Sequence, residues 1–281
     1  MTVNNAIRKL AYYEYVFFRL WSRGLLGKKR RDELIGRGGI NFDHLMLRHF
    51  MNRSIGFIKP LNEKEGFIYY NGFHCIIPLD DTGVSTEVKD VYMKPKKGDI
   101  VVDVGAHYGF YTLYASKLID ADGIVLCFEP HPDNYKGLLT NLQLNGVRNV
   151  KAFNLALGES DGKTKLYIRS HSGAHSTFLR SRYCINVELA KLDTVVERFN
   201  IKKVDLIKID AEGAELSILK GASKVIEKFK PSLTIAAYHF PEQTSELEEW
   251  LRKYRYDAVK QVRDKRTGNN FLHAIYRTRT I

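Results

Sequence analysis

Four polar residues follow short apolar runs that predict β-strands. They are Asp103, Glu129, Asp210 and His239. In an open parallel sheet the carboxyl ends of the strands form the ligand crevice, so these side chains are expected along one edge. Carboxylates accept hydrogen bonds from hydroxyl groups, and an imidazole titrates near neutral pH. The pattern predicts a site that binds a hydroxylated ligand and moves a proton.

The first of these strands leads into a glycine-containing turn. From Gly98 the sequence reads GDIVVDVGAHYGFYTLY, so Gly105 and Gly109 bracket the turn before a helix-like stretch. Strand, glycine turn and helix form the entry to a nucleotide-binding unit. Glu129 follows Asp103 by 26 residues, a spacing compatible with a carboxylate that binds the two hydroxyls of a ribose.

The elements that must position these residues alternate between strand and helix from residue 99 onward. Single helices are predicted over 132–145 and 216–229, and two closing strands over 256–262 and 271–277. This ending departs from a plain dinucleotide-binding fold. It predicts an α/β fold of the class I methyltransferase (Rossmann-like) type, with a seven-stranded sheet whose last strand is antiparallel.

A helical and β-hairpin extension is predicted over 1–85, before a main domain over 86–281. The hairpin is indicated by two β-rich runs that flank Asn71 and Gly72. Residues 1–35 combine an aromatic, basic helical pattern with a basic run at 28–31. This segment either packs on the main domain, which we favour, or lies on an anionic membrane surface.

Composition limits the function classes. The net charge of +12 favours an anionic partner, such as nucleic acid, anionic lipid or acidic glycan, or else a solvated lysine-rich surface. The three cysteines show no metal or redox spacing. No stretch approaches the roughly 20 apolar residues of a membrane span, and the N-terminus lacks the features of a signal peptide. We expect a cytoplasmic protein, with peripheral membrane contact through residues 1–35 as an alternative.

Five segments, taken in order, resemble the FkbM family of S-adenosylmethionine-dependent methyltransferases. They are VVDVGAHYGFYT (101–112), FEPHPDNYKGLLTNLQLNG (128–146), NLALGESDG (154–162), LDTVV (192–196) and IKIDAEGAELSILKGA (207–222). The resemblance covers about residues 86–240 and implies S-adenosylmethionine as cofactor. Family members of known role are mostly O-methyltransferases, so the implied acceptor is a hydroxyl on a sugar, a glycan or another small molecule.

The resemblance also implies roles for single residues. Asp210, Glu212 and His239 are the expected catalytic residues, although Asp210 could instead contact the cofactor or cap a helix. These three could form an oxygen-rich divalent-cation site, but the sequence does not establish that they converge, and we assign no metal ligands. Contacts with the cofactor are expected from Asp103, Gly105, Ala106, His107, Tyr108, Gly109, Thr112, Glu129, Pro130, Ala156, Leu157 and Asp210.

Three further expectations concern residues around the crevice. The polar loop over 169–183, with His175, is expected above the strand ends, where substrate contacts are often built. Lys208 and Arg169 are expected at the surface. Many family members end the fifth strand with a glutamate before a histidine, whereas this chain has Tyr238 before His239. The acid at this strand end is therefore missing, and His239 becomes the stronger candidate for a catalytic role there.

Two other functions stay open. One is an RNA methyltransferase that uses the basic surface, although the sequence has no Asn-Pro-Pro-Tyr-type motif, no catalytic cysteine motif and no recognisable RNA-binding module. The other is a non-catalytic binding protein on the same scaffold. The presence of Gly105, Gly109, Glu129 and Asp210 argues against a loss of cofactor binding.

Overall fold

A computed structural model describes residues 59–60, 65–70, 73–78, 93–169, 172–256, 258–263 and 269–276. The predictions for the segment over 1–35, for the turn at Asn71 and Gly72 and for the domain boundary near residue 85 lie outside these ranges. No helix in the described part of the chain is long and apolar enough to cross a membrane.

The elements follow one another in the predicted alternation. The strands are β1 (Lys59–Pro60), β2 (Glu65–Tyr70), β3 (Phe73–Pro78), β4 (Ile100–Val104), β5 (Ile124–Phe128), β6 (Val150–Phe153), β7 (Ala156–Leu157), β8 (Gly162–Ile168), β9 (Tyr183–Ala190), β10 (Leu206–Ile209), β11 (Ser232–Ala236), β12 (Ala258–Arg263) and β13 (Asn270–Ile275). The α-helices are α1 (Phe110–Ile119), α2 (Pro132–Leu144), α3 (Leu192–Arg198), α4 (Glu215–Gly221), α5 (Ser223–Phe229) and α6 (Gln243–Lys253), and a 3₁₀ turn spans Ser172–Ala174.

The main sheet has seven strands in the order β12-β13-β11-β10-β4-β5-β6. Strand β13 runs antiparallel to both of its neighbours, and the remaining neighbouring pairs are parallel. The predicted class I methyltransferase architecture, with an antiparallel last strand, is therefore confirmed. Strands β7, β9 and β8 form a separate three-stranded sheet beside it.

The central strands are almost continuously apolar because helices cover both faces of the sheet. Successive side chains point to opposite faces, so Val101 and Val102 belong to different clusters although both are fully buried. The Val101 face packs against α1, α2 and β3, and the Val102 face packs against α3 to α6. The sheet is thus held rigidly on both sides, and its strand ends are fixed in space.

Two asparagines, Asn141 on α2 and Asn145 directly after it, fasten the hairpin to the main domain. The Asn141 side chain accepts a hydrogen bond from the Ile76 N–H (2.6 Å) and donates to the Ile76 carbonyl (2.9 Å). Asn145 does the same with the N–H (2.9 Å) and carbonyl (2.7 Å) of His74. Asn141 also donates to the Tyr108 carbonyl (2.8 Å), so the hairpin is connected to the glycine turn.

The prediction of one helix over 216–229 is wrong, because the chain forms α4 and α5 with a break at Ala222. The Asp193 carboxylate accepts hydrogen bonds from the N–H groups of Lys224 (3.1 Å) and Val225 (2.9 Å) and so starts a second helix. At the end of α4, a Cβ on Gly221 would overlap the carbonyl of Gly158, so only glycine permits this packing.

Candidate active site

A cleft opens at the carboxyl ends of β4, β5 and β10, beneath the loop that follows β8. It holds about 550 Å³ of empty space, part of it open to solvent. The predicted site residues that line it are Gly105, His107, Glu129, Pro130, Ala156, Leu157, Asp210 and Glu212. The cleft therefore lies at the strand ends, where the sequence predicts the site.

Glu129 stands at one wall of the cleft, with only 5% of the residue exposed. Oε2 accepts a hydrogen bond from the His107 N–H (2.8 Å), and Oε1 accepts one from the His131 N–H (2.9 Å). The Asn134 amide donates a longer hydrogen bond to Oε1 (3.4 Å). Oε2 therefore keeps one acceptor position for a ligand, and the second acceptor position of Oε1 is held only by the long bond from Asn134. Burial raises the pKa of Glu129 to about 7, against the lowering effect of these hydrogen bonds.

The glycine turn passes directly against the end of β10. Gly105 has φ +73°, and a Cβ there would overlap the carbonyl oxygen of Asp210. Gly109 has φ +84°, and a Cβ there would overlap the Leu138 side chain on α2. His107 adopts φ +52°, a left-handed conformation that is uncommon for a non-glycine residue. The turn is thus closely packed on both sides and presents its backbone to the cleft.

Asp103 and Thr112 do not line the cleft. Asp103 is fully buried, and its Oδ2 accepts a hydrogen bond from the Thr112 hydroxyl (2.6 Å). Its Oδ1 lies 3.0 Å from Nζ of Lys208. The expectation that Lys208 lies at the surface is wrong, because the residue is 3% exposed and donates to the carbonyls of Gly105 (2.9 Å) and Val104 (3.3 Å). Asp103 therefore supports the turn from beneath and makes no direct contact with the cleft.

The other predicted turn contacts also lie behind the cleft. Ala106 and Tyr108 are each 5% exposed and are not among its lining residues, and neither is Gly109. The Tyr108 ring fills the space where a Cβ on Gly137 would lie, so the turn packs on α2. Arg169 is exposed, as expected.

At the opposite wall, Asp210 and Glu212 line the cleft, and the buried His239 lies directly behind them, outside the cleft lining. Nε2 of His239 lies 3.3 Å from Glu212 Oε1 and 3.8 Å from Asp210 Oδ1. One donor atom from each of the three side chains lies within 4.8 Å of the others. Tyr238 donates a hydrogen bond to Asp210 Oδ1 (3.2 Å). The convergence that the sequence leaves open is therefore present.

Glu215 completes this cluster and has no role in the sequence prediction. It is fully buried, and its Oε1 accepts hydrogen bonds from the N–H groups of Ala211 (2.9 Å) and Gly213 (3.3 Å). The same oxygen lies 3.4 Å from Nδ1 of His239. An acid in the first turn of a helix, directly after a loop that carries Asp210, was the signal that could have found it.

The charges of the cluster act on each other. Burial alone would lower the pKa of His239, but the carboxylates of Glu212, Glu215 and Asp210 outweigh this effect and raise it to about 9. Burial raises the pKa of Glu215 to about 6, although the imidazole opposes that shift. The wall is therefore an acidic, partly desolvated environment that favours a positive charge.

The polar loop lies over the strand ends, as predicted. Ser172, His175 and Thr177 line the cleft, and the His107 ring lies 3.2 Å from the Ser172 hydroxyl. Ser176 is 1% exposed and donates a hydrogen bond to the Glu212 carbonyl (2.6 Å). The loop therefore covers both walls of the cleft at once.

The proteins that are similar to this chain include two curated methyltransferases. Methyltransferase 1 of Beauveria bassiana is 27% identical over 43% of this chain and 57% of its own length. Hexuronic acid methyltransferase AglP of Haloferax volcanii is 23% identical over 53% of this chain and 60% of its own length. The chain thus matches less than two thirds of either relative.

The crystal structure of Methyltransferase FkbM from Methylobacillus flagellatus KT has the same fold, with a TM-score of 0.53. It is 20% identical, and the match covers 66% of this chain and 46% of that one. The family model of the methyltransferase FkbM domain matches residues 103–258, which is more than half of the chain. The resemblance seen in the sequence is confirmed: the chain belongs to the FkbM family of methyltransferases.

Proposed function

We propose that the chain is an S-adenosylmethionine-dependent methyltransferase that methylates a hydroxyl oxygen on a sugar, a glycan or another small molecule. The observation that carries the proposal is a single cleft with a diol-binding carboxylate, Glu129, on one wall and an acidic cluster with His239 on the other. Membership of the FkbM family supports methyl transfer. A relative named as a hexuronic acid methyltransferase supports a sugar acceptor.

The residues along the cleft fit the cofactor. Glu129 keeps one acceptor position on Oε2 for a ribose hydroxyl, and the second hydroxyl would displace the long hydrogen bond from Asn134 on Oε1. Ala156 and Leu157, with Leu155 and Leu166 beside them, supply an apolar wall for the adenine. The backbone of the turn at Gly105 is left for the methionine part, because glycine brings the chain close without a side chain.

The chemical task of the protein is then limited. S-adenosylmethionine supplies a methyl group that is already activated by the positive sulfur. The cleft must hold the acceptor oxygen in line with the carbon–sulfur bond, which is a positioning effect. As the new oxygen–carbon bond forms and the carbon–sulfur bond breaks, the hydroxyl proton must leave. Asp210, Glu212 and His239 are the ionisable groups at the wall where this occurs.

The net charge supports an acidic acceptor. At +12 the chain attracts anions, and a uronic acid carries one carboxylate in addition to its hydroxyls. Such an acceptor offers two kinds of oxygen. Methylation of a hydroxyl gives an ether that survives mild alkali, whereas methylation of the carboxylate gives an ester that does not. This difference makes the proposed O-methylation of a hydroxyl testable.

The test uses the full chain with methyl-labelled cofactor and a cell extract separated into glycan, lipid, RNA and small-molecule pools. We expect alkali-stable label in the glycan or small-molecule pool. Alkali-labile label would contradict a hydroxyl acceptor, and label in RNA alone would favour the RNA methyltransferase. No label in any pool, together with no cofactor binding by calorimetry, would overturn the proposal.

Three variants distinguish the roles of the two walls of the cleft. Glu129→Ala should weaken S-adenosylmethionine binding strongly, because the ribose hydroxyls lose their acceptor. Asp210→Ala and His239→Ala should lower turnover more than they lower cofactor affinity. The exposed Glu188→Gln, which removes the same type of carboxylate from β9, is the control for both measurements. If Glu129→Ala binds the cofactor as tightly as wild type does, the ribose assignment is wrong.

A further inference from the structure

The cluster at the acceptor wall has the composition and spacing of a metal site. We propose that Asp210, Glu212 and His239 bind one divalent cation, which holds the acceptor hydroxyl. The use of the cation in methyl transfer rests on the proposed function, whereas the binding of the cation does not.

The distances suit a shared ion. Nε2 of His239 lies 3.3 Å and 3.8 Å from the nearest carboxylate oxygens of Glu212 and Asp210. Ligands at about 2.2 Å from a six-coordinate ion lie roughly 3.1 Å apart, so small side-chain movements would place all three around one cation. Both carboxylates line the cleft, so the ion would face the acceptor.

The imidazole provides an observation independent of the acidic residues. The His239 side chain is 3% exposed, and among the described residues neither ring nitrogen has a partner in good hydrogen-bond geometry, although carboxylate oxygens lie 3.3–3.8 Å away. A buried polar group without such a partner costs free energy. Nε2 is also directed at two carboxylates, which are acceptors only when ionised. A cation between Nε2 and the carboxylates of Asp210 and Glu212 would give all of these atoms a partner.

The surroundings of the ring match those of a metal-bound histidine. Nδ1 lies 3.4 Å from Oε1 of the buried Glu215, and a carboxylate on one ring nitrogen commonly directs the other nitrogen to a metal. The amide of Gln243 donates to the second oxygen of Glu215 and holds it in place. Glu212 has φ +53°, so the backbone is held in a strained conformation at one of the proposed ligands.

Three protein ligands leave positions for water and for acceptor oxygens. Two carboxylates and one imidazole suit Mn²⁺, Mg²⁺ or another divalent ion of intermediate softness. An ion there would orient the hydroxyl and lower its pKa. The hydroxyl proton would pass to solvent, the oxygen would form its bond to the methyl carbon, and the electron pair of the broken carbon–sulfur bond would stay on sulfur.

Mn²⁺ is the probe, because its paramagnetism reports both binding and ligand type. The full chain is first depleted of metal and then titrated with MnCl₂ under electron paramagnetic resonance. We expect one Mn²⁺ per chain and an electron spin echo modulation from the nitrogen of an imidazole. His239→Gln should abolish the modulation, and Asp210→Asn and Glu212→Gln should each weaken binding at least tenfold. The matched control Glu188→Gln should bind Mn²⁺ as wild type does.

The wild-type result alone can overturn the proposal, so it does not depend on the folding of the variants. Absence of a stoichiometric Mn²⁺ site would show that the positive charge is a proton on His239. Bound Mn²⁺ without nitrogen modulation would place the ion elsewhere.

Measurements in EDTA separate this proposal from the proposed function. Equal methyl transfer with EDTA and with Mn²⁺ would refute the role of the cation and leave the methyltransferase intact. Failure to bind S-adenosylmethionine under either condition would refute the methyltransferase but leave the Mn²⁺ site standing.

Discussion

Lys208 and Asp103 face each other on adjacent central strands and form an ion pair that solvent does not reach. Nζ lies 3.0 Å from Oδ1, and the two side chains are 4% and 0% exposed. The residues are direct partners in the register of β10 and β4. Because Nζ also donates to the Gly105 carbonyl (2.9 Å), this pair forms the floor of the glycine turn.

The Lys208→Met variant should be strongly destabilised. Removal of one partner of a buried pair leaves the other charge desolvated, at a cost of about 3–5 kcal/mol. Urea denaturation should show a loss of this size in the free energy of unfolding. Cofactor affinity should fall as well, because the Gly105 carbonyl loses its donor.

Two further variants control this prediction. Lys97→Met removes a lysine from an exposed pair with Asp120 and should leave the free energy of unfolding unchanged within error. The double variant Lys208→Met with Asp103→Asn should recover part of the loss, since neither charge is then buried alone. A Lys208→Met protein as stable as wild type would show that the pair does not hold the turn.

Gly105 and Gly146 allow a matched test of the turn. Both have positive φ, at +73° and +62°, so alanine at either position costs about 1 kcal/mol of backbone strain. Only at Gly105 does a Cβ overlap the Asp210 carbonyl, whereas Gly146 has open space around it. Calorimetry should show at least tenfold weaker S-adenosylmethionine binding for Gly105→Ala and normal binding for Gly146→Ala. Equal affinities would mean that the turn does not contact the cofactor.

The sheet and one wall of the cleft were predictable because local patterns determine them. Apolar runs alternate with helical periodicity, and parallel strands bring their carboxyl ends to one edge. Glu129 and Asp210 were therefore found from their positions alone. Ala156 and Leu157 were found through the family resemblance, and both line the cleft.

The remaining features depend on partners that are distant in the chain. A lysine in an apolar strand is expected to lie at the surface, unless a carboxylate such as Asp103 on a neighbouring strand pairs with it in the interior. The break after α4 depends on Asp193, which lies on another helix. The contact of Glu215 with His239 joins the start of α4 to the segment that follows β11. The periodicity of the sequence within one element cannot predict contacts of this kind.

The Ser176→Ala variant should loosen the loop over the cleft. The hydroxyl donates to the Glu212 carbonyl (2.6 Å) and accepts hydrogen bonds from the N–H groups of Phe178 (3.0 Å) and Leu179 (2.8 Å). Loss of these bonds leaves buried groups without partners, at a cost of about 1–3 kcal/mol. We expect faster hydrogen exchange over 176–179 and a higher KM for the acceptor, with cofactor affinity within about twofold of wild type.

An exposed serine serves as control for this effect. Ser245 donates to the Glu242 carbonyl (2.8 Å) at the start of α6, so Ser245→Ala removes a hydroxyl without opening the loop. Its exchange over 176–179 should match that of wild type. Unchanged exchange in Ser176→Ala would contradict the proposed coupling between the loop and Glu212.

Glu129 should make stability fall as pH rises from about 4.5 to 7. Burial raises its pKa from the usual 4.5 to about 7, so the folded chain holds more protons than the unfolded chain in this window. The contribution of the protonated Glu129 carboxyl to the free energy of unfolding is complete below pH 4.5 and is lost as pH rises through 7. Between pH 5 and 8, the free energy of unfolding of wild type should fall by roughly 2.5 kcal/mol more than that of Glu129→Gln. Identical pH profiles would mean that Glu129 titrates normally.

The same titration should act on cofactor binding in the opposite direction. The ionised carboxylate accepts hydrogen bonds from both ribose hydroxyls, whereas the protonated form loses an acceptor position, so S-adenosylmethionine affinity should rise as pH rises through about 7. Glu129→Gln should bind more weakly and show no such rise. Calorimetry at pH 6 and 8 measures both proteins. If the wild-type affinity falls or stays constant over this range, Glu129 does not bind the ribose. Its carboxylate would then only accept hydrogen bonds from the backbone N–H groups of His107 and His131.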